Sequence, residues 1–406
     1  MNYKTLLALR LLNFKSLVIV AAFSLTLTTN ADAQSSLETV LASVEKNNRS
    51  LAADRQFWEA KKLEYKTGLT LPNPTVQGQY LFGSPATAGN QTDFFAVQPF
   101  DFPTTYKKRR ELAAAQGAVS TSEIAVRRQE VLQEAKLLCL EMIYRNKLAA
   151  QHEQRRTGLE KLRSDFQTKL DRGDGNILDV NKVRLQLLEI TQLQAENAVE
   201  LQKLETQLTG LNGGEALVFT DTVYPPLPEI AAFEQLEREI EAADPLRQSL
   251  EQEKRIAEKQ VELARSWRLP KFEAGYHYQG ILGQRFNGIH AGVTLPIWEQ
   301  KYHTEAQQAQ VLFADLQIQR HRSEHFFEIK EGFERQVALR KSLDEYRTAI
   351  ASVSNTALLD KALRLGEITT IEYFLELSFY QNALLHFLKT EHDYQVVVAE
   401  LMQYGL

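Results

Sequence analysis

Phe272-Glu273-Ala274-Gly275-Tyr276-His277-Tyr278-Gln279 alternates without a break: Phe272, Ala274, Tyr276 and Tyr278 share one face of an extended chain, and Glu273, Gly275, His277 and Gln279 the other. A short way on, Ile289-His290-Ala291-Gly292-Val293-Thr294-Leu295 repeats the pattern, with His290, Gly292 and Thr294 on the polar face. Apolar on one face and polar on the other is the signature of a transmembrane barrel strand, and equally of a soluble sheet with one buried face. The strands alone leave both open. In the barrel case Glu273, His277, Gln279, His290 and Thr294 are the candidates to face the lumen.

The same plan stands earlier in the chain. Val76, Gly78, Tyr80 and Phe82 oppose Thr75, Gln77 and Gln79, and turn-rich Gly83 to Gln91 leads to a second segment, Thr92 to Gln98, which alternates poorly. Four strands cannot close a barrel, since the smallest outer-membrane barrels have about eight. An unclosed edge in lipid leaves backbone groups without partners. Either several chains share one barrel or the strands are not in lipid.

Around these strands the chain repeats itself. Lys61-Lys62-Leu63-Glu64 and Leu71-Pro72 align with Lys259-Gln260-Val261-Glu262 and Leu269-Pro270 at an offset of 198. Gly173-Asp174-Gly175-Asn176-Ile177-Leu178-Asp179 aligns with Gly366-Glu367-Ile368-Thr369-Thr370-Ile371-Glu372 at an offset of 193, each with a glycine six residues before an acid. A repeat of this kind decides the architecture. The expected division is a signal peptide at 1–33, a first repeat at 34–211 (strands about 75–98, long hairpin about 103–211), a connection at 212–228, and a second repeat at 229–406 (strands about 272–295, long hairpin about 297–404).

Each copy reads as a helix, two strands, a very long helix, a tight turn and a return helix. Pro103 to Leu170 and Ile297 to Arg364 contain no internal proline and are dominated by Glu, Gln, Lys, Arg, Leu and Ala, a helix composition. Each segment is 68 residues, roughly 100 Å as a helix at about 1.5 Å per residue. Leu185, Leu188, Gln192 and Ala195 make a stripe at three- and four-residue spacing on the first return helix, which requires a neighbouring helix. A solvated coiled coil meets that requirement as well as a channel wall does.

The first 33 residues are expected to be a secretory signal: Lys4, Arg10 and Lys15, then mostly apolar Leu17 to Leu27, then Ala31-Asp32-Ala33 as a cleavage site before Gln34. No cysteine stands near position 34 to carry a lipid anchor. Removing three positive charges and Asp32 takes the formal charge from -5 to about -7, a poor balance for nucleic-acid binding. After the signal no run of 18 apolar residues remains, which excludes a transmembrane helix but not strands. Cys139, the single cysteine, lies in Leu137-Leu138-Cys139-Leu140 on a helical pattern and reads as a buried structural thiol.

With these residues in place, 36–405 resembles the TolC-like outer membrane factor family, and Leu71-Pro72-Asn73-Pro74 with Gln98-Pro99-Phe100 and Lys107-Lys108-Arg109-Arg110-Glu111 resembles its heavy-metal cation-efflux branch. The resemblance implies a mainly α fold with a small β part: two tandem repeats of long antiparallel helical hairpins plus four transmembrane strands, assembled as a homotrimer with a twelve-stranded barrel above a helical barrel. It implies a passive channel in the outer membrane of a Gram-negative bacterium, surrounded by outer-membrane lipid. Its helices would extend into the periplasm to meet an adaptor protein and an inner-membrane pump of the resistance-nodulation-division type. Divalent metal cations are the first cargo expected; drugs or organic solutes, or type I protein secretion, are the alternatives. It also implies a periplasmic gate at the two helix-to-helix turns, with Gly173, Asp179, Gly366 and Glu372. Glu372 matches an acid that rings the entrance, and Leu375 stands where a second acid often occurs.

No cofactor, catalytic residue or bound metal is expected. No Gly-x4-Gly-Lys-Ser/Thr loop is present for ATP hydrolysis. His321-Arg322-Ser323-Glu324-His325 does satisfy the His-x-x-Glu-His pattern of inverted zinc proteases, but in a polar helix rich in Gln, Arg and Glu without a catalytic domain around it. A periplasmic coiled-coil adaptor or tether is the rival of a different class. It accounts for the helices and the export signal, but not for paired aromatic strands.

Overall fold

A computed structural model describes residues 36–298, 300–353 and 356–405. The expected signal peptide lies outside the described residues.

Helices dominate, and local chemistry sets where they begin. α1 (Ser36–Asn47) gives way to α2 (Arg49–Glu64) at Asn48, whose side chain accepts from the Leu51 N–H and caps the second helix. α5 (Phe233–Ala243) gives way to α6 (Pro245–Ser266) in the same manner: Asp244 caps α6 through the Leu246 N–H, with Pro245 at the first helical position. Each helix expected ahead of the strands is therefore a pair. Between α4 (Ile177–Leu211) and α5, residues 212–232 carry no helix or strand.

α3 (Pro103–Asp171) is one helix of 69 residues, started by Pro103 at its first turn. Its expected counterpart is shorter. α7 (His303–Val353) has 51 residues and is followed by α8 (Thr356–Leu365) and α9 (Thr370–Leu401). The start expected at Ile297 moves to His303 because the chain turns first. The Lys301 N–H donates to the Trp298 carbonyl and the His303 N–H to the Gln300 carbonyl, both at 3.3 Å. Tyr302 takes φ 67°, which no α-helix accommodates. Helix-forming composition could not reveal this, since propensity is a weak prior against a local turn.

β1 (Thr75–Leu81), β2 (Gln91–Phe100), β3 (Lys271–Ile281) and β4 (Gln284–Thr294) form one antiparallel sheet in chain order. β2 and β3 join the two halves of the chain, from Gln91 opposite Ile281 to Phe100 opposite Phe272. β1 and β4 are its edges. Among the described residues no helix is long and apolar enough to cross a membrane.

The core is strung along the helices in three clusters. Val44 of α1, Ala135, Cys139 and Met142 of α3, and Leu208 of α4 pack with Phe219 and Tyr224 of the connecting segment. Leu159 and Phe166 of α3 meet Val180, Val183 and Ile190 of α4, with Leu363 of α8 and Tyr373 of α9. Leu236 and Ile240 of α5 meet Ile329 of α7 and Val397 and Leu401 of α9. Each fully buried aliphatic side chain contributes roughly 1.5–3 kcal/mol relative to exposure.

The stripe anticipated on α4 is not the one that packs within the chain. Val180, Val183 and Ile190 are buried, whereas Leu185 and Leu188 are 68% and 69% exposed. α4 carries two apolar stripes, and the second finds no partner in this chain among the described residues. Ile371, Leu375 and Phe379 are exposed at four-residue intervals on α9 in the same way.

Candidate functional site

The sheet register decides which strand residues share a face. Phe272 lies opposite Val293, Ala274 opposite Ala291 and Tyr276 opposite Ile289. Ala96 stands opposite Tyr276 on one side and Val76 on the other. Because the period along a strand is two, these pairings bring the apolar sets of β1, β3 and β4, with Phe94, Ala96 and Phe100 of β2, onto one face. Val76, Tyr80, Phe94, Phe272, Tyr276, Ile289 and Val293 are the large exposed apolar residues of that face, and Ile289 is 92% exposed. Leu81 and Phe286 are their only counterparts on the opposite face among the described residues.

That opposite face gathers Gln77, Gln79, Asp93, Glu273, His277, Gln279 and His290. His290 Nε2 lies 2.8 Å from Glu273 Oε1. His277 stacks on Phe95 with ring centroids 4.0 Å apart, and its Nε2 faces Asp93 Oδ1 at 3.7 Å. Thr294, opposite Lys271, ends the same face at the rim of the sheet. The poor alternation of the second strand now has a cause: Phe95 and Val97 sit on the polar face, and Phe95 covers His277 there. Asp93, only 7% exposed, was missed by the sequence analysis. An acid directly before the apolar run Phe94-Phe95-Ala96-Val97 was the signal for it.

The two helix-to-helix turns are built alike at their start. In the first, the Gly173 N–H donates to the Leu170 carbonyl and the Asp174 N–H to the Lys169 carbonyl, both at 3.0 Å. In the second, Gly366 donates to Leu363 at 3.2 Å and Glu367 to Ala362 at 3.0 Å. Both are Schellman closures, and Gly173 (φ 82°) and Gly366 (φ 75°) occupy the left-handed position that such closures give to glycine. The return helices are capped three residues later by Asn176, through the Leu178 N–H, and by Thr369, through the Glu372 N–H. Ser/Thr-x-x-Glu at Thr369 to Glu372 was the available signal for the second cap.

The acids behave differently at the two turns. Asp179 lies in the first turn of α4 and pairs with Lys182 at 3.3 Å. Glu372 completes a capping box, its Oε2 accepting from the Thr369 N–H at 2.8 Å and from the Thr369 hydroxyl at 2.9 Å. Those two bonds hold its carboxyl below the usual carboxylate range, backbone donor first.

His321 and His325 depart from the expectation of a polar helix face. Both turn inward toward Asp244, and His325 is buried at 7% exposure. Glu324 does not join them: its side chain is 64% exposed and faces Arg320 at 3.9 Å. The His-x-x-Glu-His spacing therefore does not assemble the carboxylate that a zinc protease needs beside its metal.

No family model matches the chain, and no curated protein matches it in sequence. Solved structures do match. Structures of CusC, described in connection with transmembrane channel formation, share 12% identity over 91% of each chain at a TM-score of 0.75. The Campylobacter jejuni CmeC outer membrane channel shares 15% over 91% of this chain and 85% of its own, at 0.71. The outer membrane protein VceC of Vibrio cholerae shares 12% over 91% of this chain and 94% of its own, at 0.70. The chain has the fold of the outer membrane channels. Within that channel fold the sheet, with its opposed apolar and polar faces, and the paired helix turns are the two features that bear on function.

Proposed function

We propose that this chain is the outer membrane channel of a tripartite efflux system. It would be a homotrimer in a Gram-negative outer membrane, a passive exit duct for cargo that an inner-membrane pump delivers through a periplasmic adaptor. The observation that carries this is the sheet: among the described residues both edge strands lack a partner on their outer side, and seven large apolar side chains stand exposed on one face. Three copies would join β1 to β4 into twelve strands, leaving no open edge in lipid and directing the polar face to the lumen. The unpartnered stripes of α4 and α9 supply surface for helix packing between copies. The solved structures of like fold are channel proteins, which supports transport without catalysis. Membrane fractionation and unheated gel migration test it: outer-membrane recovery with a heat-modifiable trimer is expected. A soluble periplasmic monomer would overturn it in favour of the adaptor.

The cargo proposed is divalent metal cations, on the resemblance of Leu71-Pro72-Asn73-Pro74 and its companion segments to the cation-efflux branch. Deletion strains scored against zinc, copper, cobalt and a drug panel decide it; sensitivity to drugs alone would overturn the metal cargo. The gate is proposed at the two turns, with three copies of Glu372 around a narrow axis repelling anions and concentrating cations. Glu372→Ala should weaken block by added divalent or trivalent cations in planar bilayers while the trimer still assembles. Unchanged block would confine Glu372 to its capping box.

A further inference from the structure

The histidines that satisfied the protease spacing meet a carboxylate from another part of the chain. Asp244, 1% exposed, stands at the junction of α5 and α6. On α7, the His321 and His325 rings stack at 15° with centroids 5.2 Å apart. His321 Nε2 lies 2.6 Å from Asp244 Oδ2, and His325 Nδ1 lies 3.8 Å from the same oxygen. One ligand atom from each residue falls within 4.8 Å of the others. We propose that Asp244, His321 and His325 form a Zn2+ site that ties the α5–α6 junction to α7.

The donor set suits the ion: two imidazoles and one carboxylate are protein ligands that zinc takes, with water completing a tetrahedron. In such a tetrahedron, with bonds of about 2.0–2.1 Å, ligand atoms stand about 3.3 Å apart. The two distances to Asp244, 2.6 and 3.8 Å, straddle that value. Zinc would push His321 back from Asp244 and draw His325 toward it, each by under about 1 Å by that arithmetic, and would close the gap between the two imidazole nitrogens, which lie within 4.8 Å of each other.

The surroundings orient two of the three ligands. Asp244 Oδ1 is held by the Leu246 N–H at 2.9 Å, which leaves Oδ2 to face the histidines. His325 Nε2 lies 2.7 Å from the Tyr404 hydroxyl, so its other nitrogen faces the carboxylate. An outer hydrogen bond of this kind is what fixes the ring of a metal-bound histidine. Capping needs only a side-chain acceptor and does not account for the two histidines. At the α1–α2 junction the same task is done by Asn48, whose side chain accepts from the Leu51 N–H at 2.9 Å. With Glu324 turned to solvent, the site would brace the helices rather than cleave peptides.

Detergent-purified protein, stripped with a chelator and titrated with Zn2+ against a chromophoric competitor, tests the proposal at neutral pH. One site per chain is expected, and Co2+ in its place should give the intense visible absorption of a tetrahedral site. Asp244→Asn keeps the helix cap. Asp244→Asn, His321→Gln and His325→Gln should each weaken Zn2+ binding on the order of 100-fold or more, because losing a direct ligand costs at least as much as losing an outer partner. Glu324→Gln and His290→Gln should leave the affinity unchanged, separating this site from the protease pattern and from the polar face of the sheet. His321→Gln carries the test alone if Asp244→Asn fails to fold. Absence of micromolar binding in the stripped protein, or binding that survives all three ligand substitutions, would overturn the proposal whatever the channel carries.

Discussion

Gly175 should prove more sensitive to substitution than either glycine at the left-handed positions of the turns. A Cβ at Gly175 would lie 2.4 Å from the Leu170 nitrogen, 2.7 Å from its Cα and 2.8 Å from the Lys169 carbonyl carbon, all backbone atoms that cannot swing away. Gly175→Ala must therefore open the closure and break the bonds from Gly173 to Leu170 and from Asp174 to Lys169. At about 1 kcal/mol per hydrogen bond, the loss is ~2 kcal/mol, or about 30-fold in the population of the opened turn. Gly173→Ala meets nothing within 4 Å and carries only the strain of its positive φ, about 1 kcal/mol and about 5-fold. Trypsin reads this directly, since Arg172 lies in the turn and cleavage follows the opened population when reclosing is fast. Mass spectrometry of the nicked protein should rank Gly175→Ala well above Gly173→Ala, with the natural chain slowest. Cleavage of Gly175→Ala at the natural rate would refute the steric reasoning.

Burial pushes the Cys139 thiol up to about 12, so maleimide at pH 8 should leave the folded protein unlabelled and modify it fully in denaturant, as intact mass would show. Burial raises the Glu141 carboxyl, but hydrogen bonds from His392 and Arg145 outweigh it and hold it at about 2. A carboxyl depressed in the folded state stabilises above its unfolded value and loses that contribution as pH falls. Discounted for the partial exposure of the carboxyl, the loss, about 1–2 kcal/mol, should fall between pH 4.5 and about 2. Glu141→Gln should flatten the acid arm of Tm against pH in that window. Ile289→Lys should destabilise the sheet in lipid vesicles by about 2–4 kcal/mol if that face meets hydrocarbon, whereas Gln279→Lys on the opposite face should be nearly neutral; urea unfolding in vesicles and in detergent measures both.

Much of the candidate site could be read from local pattern. Alternation in Phe272–Gln279 and Ile289–Leu295 assigned both faces of β3 and β4 before any contact was known, because a strand's period of two is a property of the chain itself. The turns at Gly173 and Gly366 were legible for a similar reason: a left-handed residue between two helices favours glycine. The second segment of the first repeat resisted, since Phe95 belongs to the polar face only by virtue of His277, far along the chain.

Helix composition, the internal repeat, strand periodicity and turn glycines follow from interactions among near neighbours, and the sequence by itself determined them. Tertiary structure alone decided which α4 stripe packs inside the chain, since Leu185 and Leu188 follow the same spacing as buried Val180 and Val183 and differ only in what faces them. It also decided that β2 pairs with β3, that the Gly175 site has no room for a side chain, and that Asp244 comes to His321 and His325 while Glu324 turns away. Such juxtapositions depend on the path of the backbone through space. A one-dimensional pattern specifies what each face requires, but not which distant segment will supply it.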